Sequence, residues 1–364
     1  MRSRLLSFVA VALLGGCTSE FTFTDSVNSR FLERAPRAEF GDELSTPYVL
    51  GARFTTFIED REGDANFAGW TVRVADPRVL ALREKAPRWV DDHTLALDLE
   101  AVGEGTTELL LLDPSGEVQG SASAEVRVPT RAQLFASAIA ALEDDDFRGE
   151  TPHPQILAGG TASFVVQYLA DDLRLQGSTQ LEVATTPAIE AVIQHSRAAD
   201  NRDIVQISTG EPGLEALELW VGGLQLQRVE VDVVGPEAVA AIDLIHRKGV
   251  SSAESEGDWL VVAQAYDDLR DPVYGVGFGW DLEGQTFEQA GDVLVYAHDA
   301  ERENLKTVTA WAAGIEASMP IHAADAEVFT SNDDAFNCNV DGRGAAPWWA
   351  LVLVLGLGRR RRRS

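Results

Sequence analysis

The chain has 364 residues, 45% hydrophobic and 24% charged, which suits two or three domains with real buried cores. Its formal net charge is −28, from 30 basic and 58 acidic residues; this balance repels phosphate backbones, argues against nucleic-acid binding and favours cations or basic partners. The two cysteines, Cys17 and Cys338, lie near opposite ends, which excludes a disulfide scaffold, a cysteine zinc site and a cysteine nucleophile in the body.

Met1 to Arg4 is a short positive region. Leu5 to Leu14 is an apolar run of signal-peptide length, too short to span a bilayer as a helix. Leu14-Gly15-Gly16-Cys17 follows. It resembles the lipobox of bacterial lipoproteins, in which a leucine and two small residues precede a cysteine. The resemblance implies that a signal peptidase removes residues 1–16, that the Cys17 thiol carries diacylglycerol and that the new amino terminus is acylated. More than one acyl chain is what stable anchoring needs physically. Thr18 follows where an aspartate would imply inner-membrane retention, so the resemblance implies an outer-membrane location. Residues 17–37 are polar and read as a tether holding the first domain off the membrane.

From about Ala38 the apolar residues follow period two, the mark of strands. Thr71-Val72-Arg73-Val74, Ala124-Glu125-Val126-Arg127-Val128 and Val229-Glu230-Val231-Asp232-Val233 all alternate. Turn chemistry separates such runs at Asp76-Pro77, Asp113-Pro114-Ser115-Gly116, Gly222-Gly223 and Asp271-Pro272. Segments also recur. Phe164-Val165-Val166 with Asp171-Asp172-Leu173-Arg174 returns, without a gap, as Leu260-Val261-Val262 with Asp267-Asp268-Leu269-Arg270. Leu217 to Gly223 matches Val308 to Gly314, and Thr71 to Pro77 resembles Gln180 to Pro187. The period of about 90 to 100 residues is that of one immunoglobulin-like sandwich. Three units are expected, at 38–129, 150–234 and 235–328.

Trp70-Thr71-Val72-Arg73-Val74-Ala75-Asp76-Pro77-Arg78-Val79, followed by Val102-Gly103-Glu104-Gly105-Thr106, resembles the bacterial immunoglobulin-like domains of invasin- and intimin-type surface proteins. In that family a strand ending near an Asp-Pro turn precedes a Gly-rich turn and a final strand. The resemblance implies a mostly β fold of tandem immunoglobulin-like β-sandwiches, held by sheet-on-sheet burial without disulfides. Trp70, Trp220, Trp280 and Trp311 are the expected large core or edge side chains.

Residues 130–149 read as a linker or helix. Thr130-Arg131-Ala132-Gln133 has a capping-box pattern, and Leu134, Phe135, Ala138, Ile139 and Leu142 share one helical face over 131–142. Ala138 to Leu142 also aligns with Ala241 to Ile245, where an opening strand belongs, so a strand remains the alternative. Glu143 to Pro154 is an acidic, proline-containing loop.

The sequence contains no G-x-S-x-G elbow, no H-E-x-x-H pair and no phosphate-cradling glycine loop, and its six histidines are scattered. No catalytic residue and no cofactor is expected. The weak calcium candidates are Asp171, Asp172, Asp267, Asp268 and Asp271, because hard cations want several oxygens. None of these stretches has an EF-hand loop, and solvated acidic turns are the plainer reading.

The chain closes with Cys338, a spacer containing Gly342, the apolar run 345–358 and five arginines, Arg359 to Arg363. At 1.5 Å per residue the run reaches about 21 Å as a helix, short of a roughly 30 Å hydrocarbon core. The pattern resembles the myxobacterial C-terminal sorting signal, MYXO-CTERM. The resemblance makes Cys338 the sorting and processing residue and the short C-terminal hydrophobic helix within 329–364 a segment removed by sorting machinery. Asn337 and Asn339 flank the cysteine where small residues are usual. A plain C-terminal anchor is the alternative.

The expectation is a non-enzymatic, lipid-anchored envelope protein at the outer membrane or cell surface, acting as a stalk, adhesin or binding module for a surface ligand or envelope protein. A periplasm-facing structural or assembly subunit of an envelope complex is the alternative. A hydrolase with an interdomain site ranks third.

Overall fold

The computed structural model describes residues 21–25, 44, 46–60, 67–83, 88–91, 94–137, 150–195, 202–247, 258–297, 305–322 and 328–330. Cys17, Cys338, the signal-peptide region, the helix expected beyond 137 and the C-terminal run fall outside the described residues. The described chain is nearly all β.

The first nine strands are β1 (Phe21–Asp25), β2 (Tyr48–Val49), β3 (Arg53–Asp60), β4 (Thr71–Val74), β5 (Leu80–Leu82), β6 (Arg88–Asp91), β7 (Thr94–Ala101), β8 (Gly105–Leu112) and β9 (Val118–Arg127). They make two sheets, ordered β1-β3-β7-β5 and β2-β9-β8-β4, with β6 paired to β7. Relabelled A, A′, B, C, D, E, F, G, the sheets read A-B-E-D and A′-G-F-C, the immunoglobulin-like arrangement. Strand β1 lies inside the stretch expected to be a tether and pairs with β3 from Phe21↔Asp60 to Asp25↔Thr56. Its alternating Phe-Thr-Phe-Thr sequence carries the period-two signal that the polar reading of 17–37 overrode.

The next nine are β10 (Arg131–Ala136), β11 (Gln155–Leu157), β12 (Thr161–Ala170), β13 (Leu173–Leu175), β14 (Leu181–Thr185), β15 (Ile189–His195), β16 (Asp203–Thr209), β17 (Gly213–Val221) and β18 (Leu224–Val234). The last nine are β19 (Ala241–Arg247), β20 (Asp258–Tyr266), β21 (Pro272–Tyr274), β22 (Phe278–Leu282), β23 (Gln285–Ala290), β24 (Val293–Ala297), β25 (Leu305–Ala312), β26 (Ile315–His322) and β27 (Val328–Thr330). In the second sandwich, β10-β12-β16-β15 faces β14-β17-β18-β11; in the third, β22 and β25 belong to the sheet β23-β22-β25-β26.

The helix expected over 131–142 is corrected at its start. Arg131–Ala136 is a strand running antiparallel to β12, from Arg131↔Leu169 to Ala136↔Phe164. Ala132, Leu134 and Ala136 are buried in the core cluster, so the same apolar run satisfies period two once a neighbouring strand is available. The Thr130 hydroxyl donates to the Leu169 carbonyl at 3.3 Å instead of capping a helix.

Two-residue turns close several hairpins. At three of them, Gly222 and Gly223 (φ +56° and +80°), Ala313 and Gly314 (+50° and +81°) and Glu283 and Gly284 (+51° and +91°) all have positive φ, the conformation that matches strand twist, whereas β8 and β9 are joined by the longer loop 113–117. The repeat Leu217–Gly223 and Val308–Gly314 is thus one strand and its turn, used twice.

Among the described residues the core splits into two clusters. One runs continuously through the first and second sandwiches, from Tyr48, Ile58 and Leu99 to Phe164, Ile207 and Val231. The other belongs to the third and centres on Trp280, Val261, Val308 and Ala310. Trp280 is fully buried, and its indole N–H donates to the Gly291 carbonyl at 2.9 Å. Trp70 packs edge-on against Phe67 at 5.5 Å. Trp220 and Trp311 are half-buried. A Cβ on Gly279 would lie 2.3 Å from the Trp311 ring, so the indole occupies the space that a side chain at 279 would fill.

Candidate functional site

The Asp-Pro and Gly-rich motifs of the first sandwich form two connections, β4 to β5 and β7 to β8, that pack together through hydrogen bonds from the Val102 and Gly103 N–H groups to the Val79 carbonyl. Asp76 accepts hydrogen bonds from the Arg78 N–H at 3.0 Å and from its guanidinium at 3.0 and 2.8 Å. These bonds hold the half-buried Asp76 carboxyl down at about 2 and raise Arg78. The Asp76 N–H donates to the Thr107 hydroxyl on β8 at 2.8 Å. A Cβ on Gly103 would sit 2.2 Å from the Arg78 carbonyl oxygen, so that position requires glycine. The second sandwich repeats the turn with other chemistry. The Thr186 hydroxyl donates to Glu215 and accepts from the Ala216 N–H at 3.0 Å, while the Gly210 N–H donates to the Ala188 carbonyl at 3.0 Å. The likeness of 71–77 to 180–187 is therefore a shared turn between the sheets.

The acidic candidates fall on two turns. Asp171 and Asp172, at φ +50° and +65°, form the two-residue turn between β12 and β13. Asp172 accepts from Arg131 at 3.2 Å while staying largely in solvent. Asp267 caps its own turn, accepting from the N–H groups of Leu269 at 2.9 Å and Asp271 at 2.8 Å through Oδ1. Its other oxygen accepts from Gln155 Nε2 at 3.1 Å. Desolvation works against the charge on Asp267, but these hydrogen bonds hold its carboxyl below the usual range. Asp268 is exposed. Among the described residues no three His, Cys, Asp or Glu side chains gather as a metal site would need.

The two junctions between sandwiches follow one plan. In the second sandwich, Gln167 Nε2 donates to the Tyr168 carbonyl at 3.1 Å and to the Leu175 carbonyl at 2.9 Å. In the third, Gln264 Nε2 donates to the Ala265 carbonyl at 2.8 Å and to the Val273 carbonyl at 3.2 Å. Both glutamines are buried. Each clamps the segment leaving β12 or β20, and that segment then lies against the preceding sandwich. At the first junction Gln176 bridges Tyr48 in parallel, the Val49 N–H donates to the Gln176 carbonyl at 2.9 Å and the Gln176 N–H to the Pro47 carbonyl at 2.8 Å. At the second, β11 pairs in parallel with β21 through Gln155↔Val273 and Ile156↔Tyr274. Gly177 and Gly275 follow the two segments at φ +95° and +68°. A Cβ there would meet the Ala52 Cβ at 2.8 Å and the Ile156 side chain at 3.0 Å, respectively.

These equivalences correct the gap-free alignment. Phe164, Val166 and Tyr168 face the core from β12, and Val261, Ala263 and Ala265 face it from β20. Phe164 therefore corresponds to Val261, one residue beyond its match in the gap-free alignment. A one-residue slip would turn every side chain of the strand to the opposite face. The turn after β20 holds the extra residue.

A buried polar link ties the first junction together. The Tyr168 hydroxyl and the Thr179 N–H both donate to Asp203 Oδ2, at 2.5 and 2.9 Å, and the Thr179 hydroxyl donates to the Leu50 carbonyl of the first sandwich at 2.6 Å. Burial, then the adjacent Asp203 carboxylate, pushes the Tyr168 hydroxyl well above the ordinary tyrosine range. Asp203, Gln167 and Gln264 belong to no motif of the sequence. The glycines at 177 and 275, soon after the repeated Asp-Asp-Leu-Arg, were the available signal.

No protein-family model matches the chain, and no curated protein matches it. Among solved structures, domains 4–9 of the surface layer protein SbsC are 14% identical with a TM-score of 0.33, over 76% of this chain. The chain spans 43% of that structure. FdeC, an Escherichia coli adhesin, is 11% identical with a TM-score of 0.24, over 84% of this chain and 97% of that one. Invasin, described as a bacterial integrin-binding protein, is 12% identical with a TM-score of 0.25, over 84% of this chain and 59% of that one. Likenesses this distant carry no inference about role. The immunoglobulin-like topology rests on this chain's own strand order.

Proposed function

We propose that this chain is a non-enzymatic lipoprotein of the cell envelope, anchored through acyl chains on Cys17 and displayed at the outer membrane or cell surface as a stalk or binding module. The observation that carries the reading is the repeated junction. Two successive sandwiches each insert a glutamine-clamped segment against the one before, which suits a spacer that keeps its far end at a defined distance. A lipobox-like leader and an acidic, soluble body support the same reading. Cys338 would be the point at which the C-terminal segment is processed.

Mass spectrometry of the mature protein's ends, with immunogold labelling of intact cells, tests this. The expected result is an acylated Cys17 at the new amino terminus, no residues beyond the Cys338 region and label on unpermeabilised cells. A free Cys17 thiol behind an intact leader, or label only after permeabilisation, would overturn it.

A further inference from the structure

We infer that β11 is a strand clasp that makes the second and third sandwiches open as one cooperative unit. Only three residues long, β11 is sandwiched in parallel between β18 and β21, and this joins strands of both sandwiches into a single nine-stranded sheet. The sheet serves the two cores from opposite faces. Val233 and Ile156, paired across β18 and β11, face the second core, and Tyr274 of β21 packs beside them. Val234 and Leu157, the next pair along, pack against the third core, to which Val273 belongs.

Side chains lock the same seam. Tyr274 reaches into the second sandwich, edge-on to Phe164 at 5.3 Å, with its hydroxyl 3.3 Å from that of Thr151. Gln155 binds Asp267 across the junction. Gly160 approaches the Gly275 carbonyl so closely that a Cβ would lie 2.4 Å from it. Opening the third sandwich at β21 therefore unpairs β11 and uncovers Ile156 and Phe164, so the second core loses part of its wall. At the first junction a continuous apolar core joins the sandwiches; here the coupling runs through a shared sheet. The inference holds wherever the chain resides, so its failure leaves the surface reading standing, and the reverse.

Native-state hydrogen exchange of the full chain in increasing urea tests it, with amides of β16 reporting on the second sandwich and those of β25 on the third. In the unsubstituted protein the two sets should merge into one opening with the same urea dependence. In Tyr274→Ala the β25 amides should lose protection by at least about tenfold ahead of β16. Tyr274→Phe, which keeps the ring on Phe164, should leave them merged. If Tyr274→Ala does not fold, Tyr274→Leu keeps apolar bulk and should show the same order of loss. Separate openings in the unsubstituted protein, or merged openings in the folded alanine or leucine variant, would overturn the clasp.

Discussion

The hydroxyl of Tyr168 donates a 2.5 Å hydrogen bond to Asp203, and both side chains are fully buried. Asp203 also accepts from the Thr179 N–H. Replacing it by alanine strands two buried donors, and removing one partner from a buried polar network is among the costlier single changes. Asp203→Ala should destabilise the protein by about 2–5 kcal/mol, read from urea unfolding.

Tyr168 should also shape stability at high pH. Its folded-state pKa lies above the unfolded value. The stabilisation is therefore fully present below the unfolded tyrosine pKa of about 10 and is lost as pH rises beyond it. The urea midpoint should fall above about pH 10, and the Tyr168→Phe variant should show a shallower fall over the same range.

At low pH the sign reverses for Asp76, whose carboxyl is held at about 2 by Arg78. A depressed carboxyl contributes stability above its unfolded value and loses it as pH falls through the folded one. NMR titration should place its midpoint well below that of a free aspartate. Arg78→Ala should move that midpoint back up and leave the fold intact, since the Arg78 side chain is exposed.

Gly177 and Gly275 combine positive φ with close approach to the preceding sandwich. Alanine at either position is strained in backbone and in packing, and each substitution should cost about 1–3 kcal/mol in thermal or urea unfolding. Alanine at Gly116, also at positive φ but with open space around it, should cost less.

Thr56 is fully buried between the core residues Phe54 and Ile58, and among the described residues its hydroxyl has no hydrogen-bond partner. Thr56→Val keeps the shape and removes the unpaired group. It should stabilise the protein by about 1 kcal/mol, seen as a higher urea midpoint with unchanged slope.

The alternating runs and glycine-bearing turn pairs determined the β class, the turn at Gly222-Gly223 and its repeat at Ala313-Gly314, because side-chain period and positive φ are local properties of the chain. The Asp76-Pro77 turn was visible for the same reason, whereas the approach of Gly103 to the Arg78 carbonyl is a tertiary contact. What Arg131–Ala136 becomes was decided by β12, since one apolar run satisfies a helical stripe or a strand face until a neighbour accepts its backbone hydrogen bonds. Phe21–Asp25 likewise became a strand only against β3. The offset between β12 and β20 depended on which face each strand turned to its core, which letter matching does not see. Asp203 was one acidic residue among 58 until folding removed it from water beside Tyr168. The junctions belong wholly to tertiary structure. A three-residue strand such as β11 has no periodicity to detect, and its role exists only because two sandwiches offer it unpaired backbone from both sides.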